Sequence, residues 1–149
     1  MGKKKYLVCI VPAAILAAAC IALIVHGSNR PTMKWAKELN VSDISKIELI
    51  AMPSSGTPYR LFEEEEFADV VDLINDSRGR YVPNPENLAG GGVTFYITMK
   101  DNTVHRVGNN GNTYLYIDED NYDAGYQWLS TRWEVYGRGN EEAPEGFDY

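Results

Sequence analysis

Apolar and polar residues alternate through positions 93–99, where every odd-numbered position is apolar. This period of two predicts a strand that has one face on a core and the other facing away. Segments 103–107 and 113–117 follow after the turn-like sequences Asp101-Asn102 and 108–112, so an antiparallel meander of three strands is expected. Residues 45–51 and 59–62 flank a break rich in Pro, Ser and Gly and predict a hairpin.

Two further segments repeat their apolar residues with helical spacing. Residues 63–77 open with four glutamates and place Phe67, Val70, Val71 and Ile74 on one face, which predicts a helix. A second helix over about 120–135 is predicted from Tyr122, Tyr126, Leu129, Trp133 and Tyr136, although 131–136 also alternates weakly as a strand. The expected fold class is α+β, an antiparallel sheet (hairpin plus three-strand meander) with helices packed on one face.

The N-terminal segment has a different pattern, an uninterrupted apolar run without charge over residues 6–25. Twenty residues at about 1.5 Å each span roughly the 30 Å of a bilayer's hydrocarbon core, which predicts one transmembrane helix. The basic residues Lys3, Lys4 and Lys5 precede it, so residues 1–5 are expected in the cytoplasm and the C-terminal domain outside the cell. The predicted protein is therefore a single-pass protein of the cell membrane.

Two alternatives for this segment remain open. A signal peptidase could cut after the small residues 17–19, or a lipoprotein peptidase could cut before Cys20, since residues 16–20 resemble a loose lipobox. Apolar residues continue from Ile21 to Val25, whereas a mature lipoprotein usually becomes polar at once. The length of the run therefore favours the uncleaved anchor, and all three readings place the domain outside.

The rest of the chain divides by composition into three predicted parts. Residues 26–40 are expected to be a linker, 41–136 the extracytoplasmic α+β domain, and 137–149 an acidic disordered tail. The stretch 78–92 holds two prolines and three successive glycines without periodicity. Loops of this length are either functional or disordered, and the sequence leaves both possibilities open.

Charge and cysteine content exclude several functions for the exported part. Of 14 basic residues three precede the anchor, which leaves 11 against 21 acidic residues, a net charge of −10. Without clustered lysine and arginine, nucleic acid is not an expected partner. Both cysteines, Cys9 and Cys20, lie in the apolar run, so the domain is expected to have no disulfide, no catalytic thiol and no zinc-thiolate site.

Segment 41–50, the helix that opens with glutamates and the hairpin around 100–102 together resemble a known type of domain. The pattern over about 41–135 is similar to uncharacterised domains of unknown function in small membrane-anchored or lipoprotein-like surface proteins of Gram-positive bacteria. The resemblance implies a location and a fold. It implies no catalytic residues.

Candidate chemistry in the exported part is sparse. His105 is the only histidine of the domain 41–136, and a hairpin turning at Asp101-Asn102 would place it opposite Thr98 as an ordinary residue of the outer sheet face. The acidic stretch 118–123 fails the calcium-loop pattern at its fifth, sixth and twelfth positions, so a polar turn that caps the last helix is expected, with an irregular calcium site as the alternative. A non-enzymatic protein without metal or cofactor is predicted.

The most distinctive pattern is an aromatic sheet face. Tyr114 and Tyr116 alternate with apolar residues, and we expect them to share the outer face with Tyr96 and His105 as a binding surface. The alternative is that a loop or helix covers this face. The predicted function is a cell-surface interaction module for a protein or a cell-wall glycan. A regulatory or accessory subunit that acts through its transmembrane helix is the second hypothesis, because Ala14, Ala18 and Ala22 have small-residue spacing.

Overall fold

The computed structural model describes residues 30–52, 58–86, 88, 91–133 and 141–147. Within these residues no helix is both long enough and apolar enough to cross a membrane. The predicted anchor, residues 6–25, lies outside the described residues, and so do both cysteines. The transmembrane helix therefore stays a prediction.

Seven strands in the described part of the chain form one antiparallel sheet in the order β2-β1-β4-β5-β6-β7-β3. The strands are β1 Ile44–Met52, β2 Tyr59–Leu61, β3 Arg80–Tyr81, β4 Gly92–Met99, β5 Val104–Asn110, β6 Tyr114–Ile117 and β7 Asp120–Asp123. The predicted hairpin is the pair β1–β2, and the predicted meander is β4–β5–β6, which β7 extends by one strand. The α+β class with an antiparallel sheet is thus confirmed.

Three α-helices within the described residues contribute to one core on one face of this sheet: α1 Pro31–Glu38, α2 Phe67–Asn75 and α3 Tyr126–Arg132. Helix α2 follows a single 3-10 turn, Glu64–Glu66, in which Glu63 and Glu66 form a reciprocal capping box. The predicted apolar stripe of α2 is buried. Alternate strand residues such as Ile47, Phe95 and Leu115 face the helices and are fully buried.

The last predicted helix was too long at its start. Residues 120–123 form β7, which pairs with β6 through a two-residue turn, and only Tyr126–Arg132 is helical. Asp118, in this turn, has a left-handed backbone with φ 52°. Tyr122 is a fully buried core residue of β7. Its spacing from the later aromatic residues matches the period of a helix, although the residue itself lies in a strand.

Two more boundaries differ from the prediction. Residues 31–38, expected within a linker, form α1, whose Met33 and Ala36 are core residues. The domain therefore includes Arg30, and its core begins well before residue 41. Within the patternless stretch 78–92, residues 80–81 form the edge strand β3.

An ion pair fixes the start of α1 on the sheet. The guanidinium of Arg30 donates two hydrogen bonds to the Asp120 carboxylate, at 2.8 and 2.6 Å, and Thr32 donates a third at 2.6 Å. Burial opposes ionisation of Asp120, but these hydrogen bonds prevail and lower its pKa. Asp120 can face the helices because this charge is fully paired.

Candidate functional site

The outer sheet face, the face opposite the helices, holds three of the four predicted binding residues. Tyr96 stands opposite Arg106, and Tyr116 stands opposite Gly108, two residues further along the same strand. Tyr114 is opposite Asn110 and shares this face. The alternation in the sequence therefore grouped the tyrosines correctly, while their role in binding remains a prediction.

His105 does not join this face, and its predicted position is wrong. A hydrogen bond of 2.8 Å from Met99 N to Thr103 O closes the hairpin around three loop residues, with Asn102 in a left-handed conformation (φ 69°), so His105 pairs with Ile97 and not with Thr98. A shift of one residue in register moves a side chain to the opposite face of the sheet. His105 therefore lies on the helix side, and Arg106 takes the outer position.

On the helix side His105 is held by two contacts. Its ring stacks on Trp35 of α1 with 3.9 Å between ring centroids, and Nδ1 lies 2.8 Å from Asp118 Oδ2. Since an ionised carboxylate only accepts, Nδ1 carries the hydrogen of this bond. Trp35 and His105 border a shallow depression of about 430 Å³ that also includes Asp43 and Asp101. The hydrogen bonds to Thr103 are the main reason that the pKa of Asp101 is lowered.

The carboxylates considered for calcium do not converge on one point. Asp118 binds His105, Asp120 binds Arg30, and Asp123 pairs across the sheet edge with Arg80, on β3, at 3.7 Å. In the described residues no group of three or more metal-ligating side chains lies close enough to hold an ion. The turn 118–119 joins two strands and does not cap a helix, so that part of the prediction is corrected.

Tyr116 lies flat across the outer face. A Cβ built on Gly108 would be 2.8 Å from two atoms of the Tyr116 ring, so the ring covers the glycine of the neighbouring strand. Its hydroxyl hydrogen-bonds to Thr94 on β4, one strand further. Burial raises the pKa of Tyr116, and the bond to Thr94 opposes that shift. The ring is therefore a fixed platform on three adjacent strands.

A second ordered group lies near the β2 edge of the same face. Tyr59 donates a hydrogen bond of 2.9 Å to Glu48, which also pairs with Lys46 at 2.8 Å. Burial, followed by the hydrogen bond to Glu48, raises the pKa of Tyr59 to about 12. Tyr59 and Glu48 are both buried although they belong to the outer face, because another part of the chain covers them.

Residues 141–147, which were expected to be disordered, cover Tyr59. Glu141 forms a backbone bridge with Tyr59, and Phe147 packs edge-to-face on Tyr59 and Tyr96 with centroid distances of 5.6 and 5.1 Å. The other residues of the predicted tail, 137–140 and 148–149, lie outside the described residues. The outer face is thus covered near β2, as the alternative prediction had it, but the covering element is a C-terminal segment and not a helix.

Arg106 is the feature of this face that sequence reasoning missed. It is exposed, lies opposite Tyr96, and makes no ion pair with any described residue. Beside it Val104 is 51% exposed. A predicted hairpin loop of three residues, combined with the alternation of side chains along β5, would have placed Arg106 on this face.

Comparison with known proteins identified no matching family model, no curated relative and no similar solved structure. The resemblance to Gram-positive surface domains therefore stays a prediction, and the function has to be argued from the geometry.

Proposed function

We propose that this protein is a membrane-anchored interaction module of the cell surface that binds a partner protein through its outer sheet face. The observation that carries the proposal is the exposed Arg106 set between Tyr96 and the flat Tyr116 ring. Tyrosine and arginine are the residue types that most often dominate binding energy at interfaces. These side chains lie on the central strands of the sheet, and its hydrogen bond to Thr94 holds the Tyr116 ring in place before a partner arrives.

Charge supports a protein partner over nucleic acid. The part of the chain beyond the anchor has a net charge of −10, and Arg106 is an exposed cation in the middle of the face. A partner with a carboxylate and apolar side chains would pair with Arg106 and cover Val104. The role is binding without catalysis, as the sequence predicted, and a wall glycan is the other outcome to be tested.

Site-specific crosslinking in the cells that make the protein tests this function. A photoreactive amino acid at position 104, beside an intact Arg106, should give a discrete adduct that protease treatment removes. The matched control is position 37, because Lys37 is exposed on α1, on the helix side. Equal adducts at both positions, or none at position 104, would contradict the proposal, and an adduct resistant to protease would identify a glycan.

The anchor is tested separately by the intact mass of the purified protein and by protease accessibility on whole cells. We expect the uncleaved chain, with the domain digested from outside. A mature chain that begins at a lipidated Cys20 would replace the transmembrane anchor with a lipid and leave the location unchanged.

A further inference from the structure

The segment 141–147 contacts the domain as a short peptide ligand would. Backbone hydrogen bonds of 3.1 and 2.9 Å join Tyr59 and Glu141 in both directions at the outer edge of β2. A turn closed by a 3.1 Å bond from Phe147 N to Pro144 O follows, with Gly146 at φ 84°, a conformation that suits glycine. Pairing with a sheet edge, combined with a side chain in a pocket, is a general mode of peptide recognition.

The pocket that receives Phe147 consists of two tyrosine rings. Interplanar angles of 71° to Tyr59 and 81° to Tyr96 are edge-to-face arrangements, which aromatic rings prefer. The hydrogen bond to Glu48 holds the Tyr59 hydroxyl. Both tyrosines belong to the sheet, so an aromatic side chain from another source would find the same two rings.

One exposed cation lies beside the pocket. Arg106 stands opposite Tyr96, one of the two pocket walls, and has no ion-pair partner in the part of the chain that the structure describes. The carboxylates of Glu141, Glu142 and Glu145 do not pair with Arg106, so the bound C-terminal segment leaves this cation available. A partner segment that places a carboxylate next to its bound ring would form an ion pair that residues 141–147 lack.

The segment that covers this part of the face is short. Its contacts include one backbone bridge and the packing of Phe147 on two tyrosine rings, and Glu141 and Glu142 are exposed. Seven residues are far fewer than the roughly 20–30 that each side of a stable interface contributes. The segment remains bound because it is tethered, and tethering corresponds to an effective concentration on the order of 1 mM.

Resting on the function proposed above, we propose that the outer face recognises an extended acidic protein segment with an aromatic side chain, and that residues 141–147 are its intramolecular competitor. The partner's aromatic ring replaces Phe147 between Tyr59 and Tyr96. A carboxylate of the partner segment pairs with Arg106. By competing for the same site, the chain's own C-terminal segment lowers the apparent affinity for the partner.

The size of this loss of affinity follows from the tether. For a free segment with a Kd of about 0.1 mM and an effective concentration of about 1 mM, the bound form exceeds the open form about tenfold. A competing peptide then binds about tenfold more weakly to the intact chain than to a chain without the segment. This ratio is the quantity to measure.

The experiment uses the full chain in a mild non-ionic detergent and a fluorescent peptide with the sequence of residues 139–149. Anisotropy titrations compare the intact chain, a chain that ends at Asn140, and the intact chain with Phe147→Ala. We expect the shortened chain and the Phe147→Ala chain to bind the peptide about tenfold more tightly than the intact chain. A peptide with Ala in place of its Phe should lose binding, and Tyr96→Ser in the shortened chain should abolish it.

Equal affinity of the peptide for all three chains would overturn the competition, and no binding to the shortened or to the Phe147→Ala chain would overturn the recognition. Because the Phe147→Ala chain keeps its full length, a folding failure of the shortened chain does not hide the answer. The crosslink at position 104 reports separately on the outer face. If it forms while the peptide fails to bind, the interaction module stands and only the ligand class is wrong.

Discussion

The outer face depends on the absence of a side chain at Gly108, so Gly108→Ala should destabilise the domain. A Cβ there would lie 2.6 Å from the backbone oxygen of Val93 and 2.8 Å from two atoms of the Tyr116 ring. The Val93 carbonyl belongs to β4 and cannot rotate away as a flexible side chain could. The ring would have to lift, and this would break its hydrogen bond to Thr94.

The expected loss of stability combines three terms. Forcing a methyl group into a packed site costs about 1–3 kcal/mol. A lost hydrogen bond between neutral groups costs about 1 kcal/mol. Replacing Gly with Ala returns about 0.5–1 kcal/mol because it lowers the entropy of the unfolded chain. The free energy of unfolding should therefore fall by about 1–3.5 kcal/mol.

Urea unfolding of the full chain in non-ionic detergent measures this, followed by the fluorescence of the buried Trp128 and Trp133. Tyr116→Phe is the comparison variant, because it removes only the hydroxyl and should cost about 1 kcal/mol. In a Tyr116→Ala background the cost of Gly108→Ala should be smaller, since only the clash with the carbonyl remains. A change below about 0.5 kcal/mol for Gly108→Ala would refute the close packing, and an equal cost with and without the ring would refute the position of the ring.

Three further changes test other contacts, each by unfolding experiments on the full chain. The pKa of Asp120 is lowered from its ordinary 3.8, so the ionised Asp120 stabilises the fold above pH 3.8, and this stabilisation is lost as the pH falls below that value. The Asp120→Asn variant should therefore lose less stability on acidification than the wild type does. Wild type that loses no more stability than the Asn variant below pH 3.8 would contradict this. The raised pKa of Tyr59 has the opposite sign, because folding favours the neutral phenol, so stability should fall between about pH 10 and 12, and it should fall more in the wild type than in Tyr59→Phe. Identical alkaline profiles would show that Tyr59 is not held in its neutral form. His105→Ala removes the stack on Trp35 and the bond to a carboxylate and should cost about 1–3 kcal/mol, whereas an ordinary surface histidine would give less than about 0.5.

Local pattern was sufficient to predict most of the elements. Strict alternation in 93–99 correctly placed Phe95 inside and Tyr96 outside, and helical spacing correctly selected the buried face of α2. Both follow from the backbone period, which does not depend on distant contacts. Strand β7 and helix α1 were assigned wrongly because their conformation depends on partners far away in sequence, such as the pairing of Arg30 with Asp120.

The candidate site shows the same division. Its tyrosines share a face because side chains alternate along every strand, and that much is determined by sequence alone. Only the tertiary structure decided that Arg106 joins them, that His105 leaves them for Trp35, and that Phe147 covers one end. One extra residue in a hairpin loop changes the register of the whole following strand, and a C-terminal segment has no local signal for the surface that it will cover, because both depend on pairings that form only in the folded chain.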